Sequence, residues 1–329
     1  MSFLKKLFGT NESPSPEQLA AKAEQQRERD FNTLRDDGVR AMKMGEFPYA
    51  QKCFDAALEI HADDAVTLSY LAEVLFRLSQ FERAESVLNG LAETEPNNAN
   101  ILVLLARSQG QQGNYAAMRS TLDRIPACNR ENPGVLYYTA EADFHIGEHL
   151  PAIAALTRAI EARPDFAEAR LLRAKVLLAM GQAKEAIDDT SALIHKEEPD
   201  EEALLLHATA QAGTDQMPEA IQTLQRLHTI NPFNGEAIAL LGTLLTRESR
   251  WDAALALYDE AIELQPDFAE AYKLRGAVKY HLHDEAGAAE DLKRSLELSP
   301  ESAREVDGEY STMENRLNDH FRSLNPYGL

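Results

Sequence analysis

The sequence predicts an all-α fold of stacked antiparallel helix pairs, and three observations carry that expectation. From Phe31 to Ser302 the chain lays out in rows of 34 residues with no insertion or deletion, starting at 31, 65, 99, 133, 167, 201, 235 and 269. Two columns of this layout hold small residues. The eighth reads Gly38, Ala72, Ala106, Ala140, Ala174, Ala208, Gly242 and Gly276, and the twentieth is alanine in every row except for Met118. Prolines recur in the thirty-second column at Pro96, Pro164, Pro232, Pro266 and Pro300, with Pro199 one place late. A period of this length marks a repeat architecture, in which each unit covers the apolar face of its neighbour.

Each element of the row has a physical reason. Two helices pack closely only where a small side chain lets the backbones approach, which the eighth and twentieth columns allow. The twenty-fourth column supplies the bulk that fills those gaps: Phe54, Leu88, Leu122, Leu156, Leu224, Tyr258 and Leu292. Gly45, Gly113, Gly147 and Gly181 stand between the two helices of their rows, where a positive φ turns the chain. Pro48, Pro151 and Pro218 open second helices, where a missing N–H costs little. Proline after the second helix then forces the chain into the next row.

These columns resemble the tetratricopeptide repeat family, whose consensus places small residues at the eighth and twentieth positions and proline near the thirty-second. Row seven matches best, with Leu241, Gly242, Trp251, Ala254, Tyr258, Ala261 and Pro266 in family positions. The resemblance implies an α-solenoid, a right-handed superhelix of antiparallel helix pairs, with eight repeats at 31–64, 65–98, 99–132, 133–166, 167–200, 201–234, 235–268 and 269–302. Row three departs from the pattern. Met118 replaces the small residue, Pro126 cuts the second helix short, and Arg130 stands where proline is usual. A bend or a tolerated divergence follows from this, and divergence is the simpler expectation.

The ends read differently. After Ser302, Val306, Tyr310, Met313, Leu317, Phe321 and Leu324 form one apolar helical stripe, so residues 303–329 are expected to supply a capping helix and tail. Ser15-Pro16-Glu17 is a helix start that opens a polar, solvent-exposed extension of the first repeat helix within residues 1–30. Residues 10–14 link it to a short amphipathic peptide. There Phe3, Leu4, Leu7 and Phe8 flank Lys5 and Lys6, which suits weak, reversible contact with a membrane surface.

Composition bounds the function. The net charge of −21 argues against nucleic acid, whose binding relies on neutralising phosphates. Cys53 and Cys128 are the only cysteines and have no partner pattern, so no disulfide framework or thiolate metal site is read. No apolar run is long enough to span a membrane and the start lacks a secretory signal, so a cytoplasmic setting is expected. The phosphate-binding glycine loop, the Gly-x-Ser-x-Gly elbow and the His-Glu-x-x-His motif are all missing, and no cofactor or metal is expected. His145 and His149 flank a turn, and His281 and His283 are two apart, so neither pair is read as a metal site.

A non-enzymatic scaffold or adaptor is the function the resemblance implies, its concave groove binding a peptide or helix of a partner protein. The alternative is a peripheral membrane-associated assembly factor tethered by residues 1–9. Some family members hold a partner's C-terminal carboxylate in a clamp of lysines, asparagines and an arginine. No row here supplies that set, since the first pair is replaced by Arg35 and Val39 in row one and by Lys273 and Ala277 in row eight. In this family the groove is lined by the second, fifth, ninth, twelfth and thirteenth residues of each first helix. Rows one to four place Arg35, Met42, Lys43, Phe76, Arg77, Arg107, Tyr137 and Phe144 there. Rows five to seven place mainly small or aliphatic groups there, such as Leu171, Ala179, Ala212, Gly213 and Ala239. The expected partner site is therefore Arg35, Lys43, Phe76, Arg77, Arg107, Tyr137 and Phe144, suited to an acidic or phosphorylated segment. Phe76 and Phe144 have a second reading as side chains packed between neighbouring repeats.

Overall fold

The computed structural model describes residues 15–195 and 199–299, and the chain divides after Ile146 into two compact units. The expected C-terminal cap over 303–329 and the apolar peptide around Phe3, Leu4, Leu7 and Phe8 lie outside the described residues. Among the described residues the regular structure is helical, and no helix is long and apolar enough to cross a membrane.

Unit 1 holds α1 (Pro16–Lys43), α2 (Phe47–Ile60), α3 (Ala65–Arg77), α4 (Phe81–Thr94), α5 (Ala99–Gln111), α6 (Tyr115–Asp123), a 3-10 turn (Ala127–Asn129) and α7 (Pro133–His145). Unit 2 holds α8 (His149–Ala162), α9 (Ala167–Ala179), α10 (Ala183–Ile194), α11 (Glu201–Ala212), α12 (Met217–Ile230), α13 (Gly235–Arg247), α14 (Trp251–Leu264), α15 (Ala269–His281) and α16 (Glu285–Leu298). Successive first helices begin 34 residues apart, from Ala65 and Ala99 in unit 1 to Gly235 and Ala269 in unit 2.

The small and large columns meet as their chemistry requires. A Cβ on Gly38 would lie 2.5 Å from the Phe54 ring, and one on Gly242 would lie 2.0 Å from the Tyr258 hydroxyl. Both aromatic rings are buried in the space that the missing methyl leaves. Row eight differs. Gly276 faces the backbone of Ala288 and the Cβ of Asp291, and the expected filler Leu292 is exposed instead. Row five replaces the large residue with Thr190, which is buried and hydrogen-bonded to Nδ1 of His207 at 2.8 Å. The remaining core of unit 1 comes from Leu75, Leu88, Leu102 and Leu105, and that of unit 2 from Leu204, Leu224 and Leu244.

Caps and turns set the row boundaries. Ser15 accepts from the Gln18 N–H at 3.2 Å while Gln18 Oε1 accepts from the Ser15 N–H, a reciprocal cap for the exposed start of α1. Asp64, Asn98, Asn132, Asp200 and Asn234, all in the thirty-fourth column, each cap the first helix that follows. The turn between paired helices needs one left-handed residue in every row. Gly45, Gly113, Gly147 and Gly181 take it at φ between 71° and 86°, while Ser79, Asp215, Ser249 and His283 are held there at 57–65°.

Row three is a divergence with its own compensations. Met118 is buried because Gly110 opposite it is small: a Cβ there would stand 2.8 Å from the Met118 sulfur. The helix α6 stops at Asp123, short of Pro126. Arg130 then donates to the carbonyls of Asp123 at 2.7 Å and Ile125 at 2.8 Å, meeting acceptors that the ended helix leaves open.

Candidate partner-binding face

The site is built from the first helices of unit 1. Phe76 and Arg77 close α3, Arg107 lies on α5, and Tyr137 and Phe144 lie on α7. Half-buried Arg107 places its guanidinium 4.5 Å from the Phe76 ring centre and 5.4 Å from that of Tyr138. Two rings thus hold one cation in place through their electron-rich faces. Phe76 is braced from below by Phe81, edge-on at 5.4 Å, and Tyr138 meets Tyr137 edge-on at 5.2 Å. Phe76, Arg107 and Tyr137 are in this way joined into one aromatic–cation cluster through Tyr138.

The other expected residues stand apart from it. Arg35 packs over Phe31 of its own helix at 5.1 Å and donates to Asn32 Oδ1 at 2.9 Å. Lys43 and Arg77 are exposed at the ends of α1 and α3. Phe144 lies against His145, ring centres 5.3 Å apart, and His145 stacks on Tyr115 at 3.8 Å. His281 stacks in the same manner on Trp251 at 4.5 Å, so both histidines serve as flat partners for an aromatic ring. Among the described residues no group of three His, Cys, Asp or Glu is placed to hold a metal ion.

Sequence reasoning missed two parts of this face. Tyr138 sits one place outside the family's groove positions, yet it completes the clamp on Arg107. The second is a cleft of about 620 Å³ between α5 and α7, whose lining includes Arg107, Tyr138 and Val103. Residues Cys128, Asn129, Glu131 and Asn132 of the irregular turn after α6 also line it. Pro126 and Arg130, out of place in their columns, were the signal that a regular helix end was absent here.

Comparison with known proteins agrees with the repeat. Models described as "TPR repeat" and "Tetratricopeptide repeat" match residues 242–282 and 147–195, within the same 34-residue register of helix pairs. This chain is a tetratricopeptide repeat protein. A third model, for subunit 3 of the anaphase-promoting complex or cyclosome, matches residues 43–125. Over 147 residues the repeat protein is 27% identical to the mouse protein O-mannosyl-transferase TMTC1, and over 173 residues it is 26% identical to the human one. Those matches span 44% and 51% of this chain but only 16% and 19% of the relatives.

Solved structures share the fold. The C-terminal part of a TPR repeat-containing protein from Cytophaga hutchinsonii aligns with a TM-score of 0.58 at 15% identity, covering 74% of this chain and 99% of that one. The type IV pilus biogenesis factor PilW gives 0.56 at 17% identity, covering 62% and 94%. The Cut9–Hcn1 assembly of the anaphase-promoting complex gives 0.53 at 18% identity, covering 77% and 50%.

Proposed function

We propose that this tetratricopeptide repeat protein is a non-enzymatic interaction scaffold that takes a peptide or helix of a protein partner on the inner face of unit 1. One observation carries the choice of face. Lys43, Arg77 and Arg107 make no ion pair with another described residue, although the chain as a whole carries −21. In unit 2 the inner-face lysines are answered: Lys175 pairs with Glu202, and Lys273 lies 3.9 Å from Glu270. Arginine and aromatic side chains are the types that anchor interfaces, and unpaired cations complement an acidic segment.

The test is site-specific crosslinking in the native cell. A photoreactive residue at position 77 is expected to capture a discrete protein partner, while the same group at exposed Lys52, on the second helix of row one, captures none. Equal capture from both positions, or none from 77, would remove the groove assignment. The double variant Arg77→Ala/Arg107→Ala, correctly folded by circular dichroism, is expected to lose the captured partner.

A further inference from the structure

We infer that the cleft between α5 and α7 is a subsite for one carboxylate, presented by an Asp or Glu side chain of an extended partner peptide and held by Arg107. The inference rests on the proposed role of the unit 1 inner face and names what that face reads. Six arginines of the described residues are half-buried: Arg35, Arg107, Arg119, Arg170, Arg173 and Arg275. Arg119 is answered by Asp143 and Asp123, Arg170 and Arg173 by Asp189, and Arg275 by Asp291 and Asp259. Arg35 bonds to the Asn32 amide. Arg107 alone of the six has only ring faces, at 4.5 and 5.4 Å, and no acceptor among the described residues.

The geometry fits a carboxylate in particular. A guanidinium carries five N–H donors in a rigid plane, and ring faces accept none of them as a full hydrogen bond. Half-burial removes part of the water that would otherwise satisfy those donors, which favours an incoming acceptor matched to two parallel N–H groups. A cleft of about 620 Å³ lies within the range that encloses a small ligand, so it has room for a side chain and its flanking backbone. Arg107 is the one lysine or arginine among the described residues that line the cleft. A phosphate of about −1.5 to −2 would keep uncompensated charge with only one cation to balance it. A carboxylate, with a single charge, suits one arginine. The site exists because α6 ends at Asp123, which puts the 127–132 turn, in place of further helix, along one side of the cleft.

The test uses the full chain and a phage-displayed library of random twelve-residue peptides. Selected peptides are expected to share an Asp or Glu whose amidation to Asn or Gln weakens binding about tenfold or more, as loss of a charge-assisted hydrogen bond does. Against Arg107→Gln that difference between acid and amide peptides should vanish. Against Arg107→Lys, which keeps the charge and loses the planar fork, the difference should shrink without vanishing, a graded response that a merely damaged fold would not give. An acid preference that survives Arg107→Gln overturns the subsite, as does tighter binding of phosphoserine than of Asp at the same peptide position. Peptides that bind without any acid preference overturn the subsite while sparing the groove. Failure to select any peptide counts against both.

Discussion

Position 15 of the row shows how a single residue sets the repeat. Every row turns through a left-handed residue there, and four rows use a residue other than glycine, at φ 57–65°. That conformation costs an L-residue about 1 kcal/mol or more through its Cβ. Replacing Ser249 by Gly is therefore expected to stabilise unit 2, by up to about 1 kcal/mol after the added entropy of the unfolded chain. Gly181→Ala should destabilise it by a similar amount. Thermal melts of the two variants should move in opposite directions, and a fall in melting temperature for Ser249→Gly would refute this account of the turn. The four glycines were legible because that residue type marks positive φ. Ser79, Asp215, Ser249 and His283 gave no such mark, since only the register of neighbouring rows puts them in the turn. Tyr138 was missed for a related reason: the family's groove positions describe where a side chain starts, not how far an aromatic ring reaches.

At the scale of helices, polar interlocks hold second helices to first ones, and the columns of small residues gave no hint of them. In unit 2, Arg275 of α15 makes two hydrogen bonds to Asp291 of α16, at 2.8 and 2.6 Å, and a third to Asp259 of α14 at 2.7 Å. Arg173 of α9 repeats the arrangement with Asp189 of α10 and Thr157 of α8. Read column by column, arginine at the seventh place and aspartate at the twenty-third occur together only in rows five and eight, too few to stand out as a pattern. Burial alone would raise the Asp291 pKa, but hydrogen bonds from Arg275 and Lys279 outweigh it and hold the carboxyl below its ordinary 3.8. The folded carboxylate thus contributes its full stabilisation above the unfolded value and loses it as pH falls through the lower folded pKa. Removing one partner of a buried pair costs about 3–5 kcal/mol. Asp291→Asn should accordingly melt well below the parent at pH 7, and the gap should narrow as the pH falls from the ordinary 3.8 through the lower folded pKa. A gap independent of pH across that range would show that the loss is one of packing alone.

Across the whole molecule, the charge and the proposed site pull in opposite directions, and salt separates them. The repeat count and helix pairing were readable because 34-residue spacing fixes both. The contrast between unpaired cations in unit 1 and paired ones in unit 2 was only half readable, because ion pairing depends on which carboxylates the packing brings near. An acidic peptide approaching at about 0.01 M salt interacts over a Debye length of about 30 Å. At that range it responds to the net charge of −21 and is repelled. At about 0.15 M the screening length falls to about 8 Å, so the peptide responds chiefly to the nearby Arg77 and Arg107. Near 1 M it falls to about 3 Å, and the local attraction is itself screened. The association rate of an acidic groove peptide, followed by stopped-flow fluorescence, should therefore rise from low to physiological salt and then decline. Most charged partners show a steady fall instead, because attraction dominates at every distance. A steady fall here would mean that the inner face, rather than the acidic bulk, governs the encounter from the outset. A flat profile would mean that charge does not guide binding at all, which would take the acidic segment away from this face.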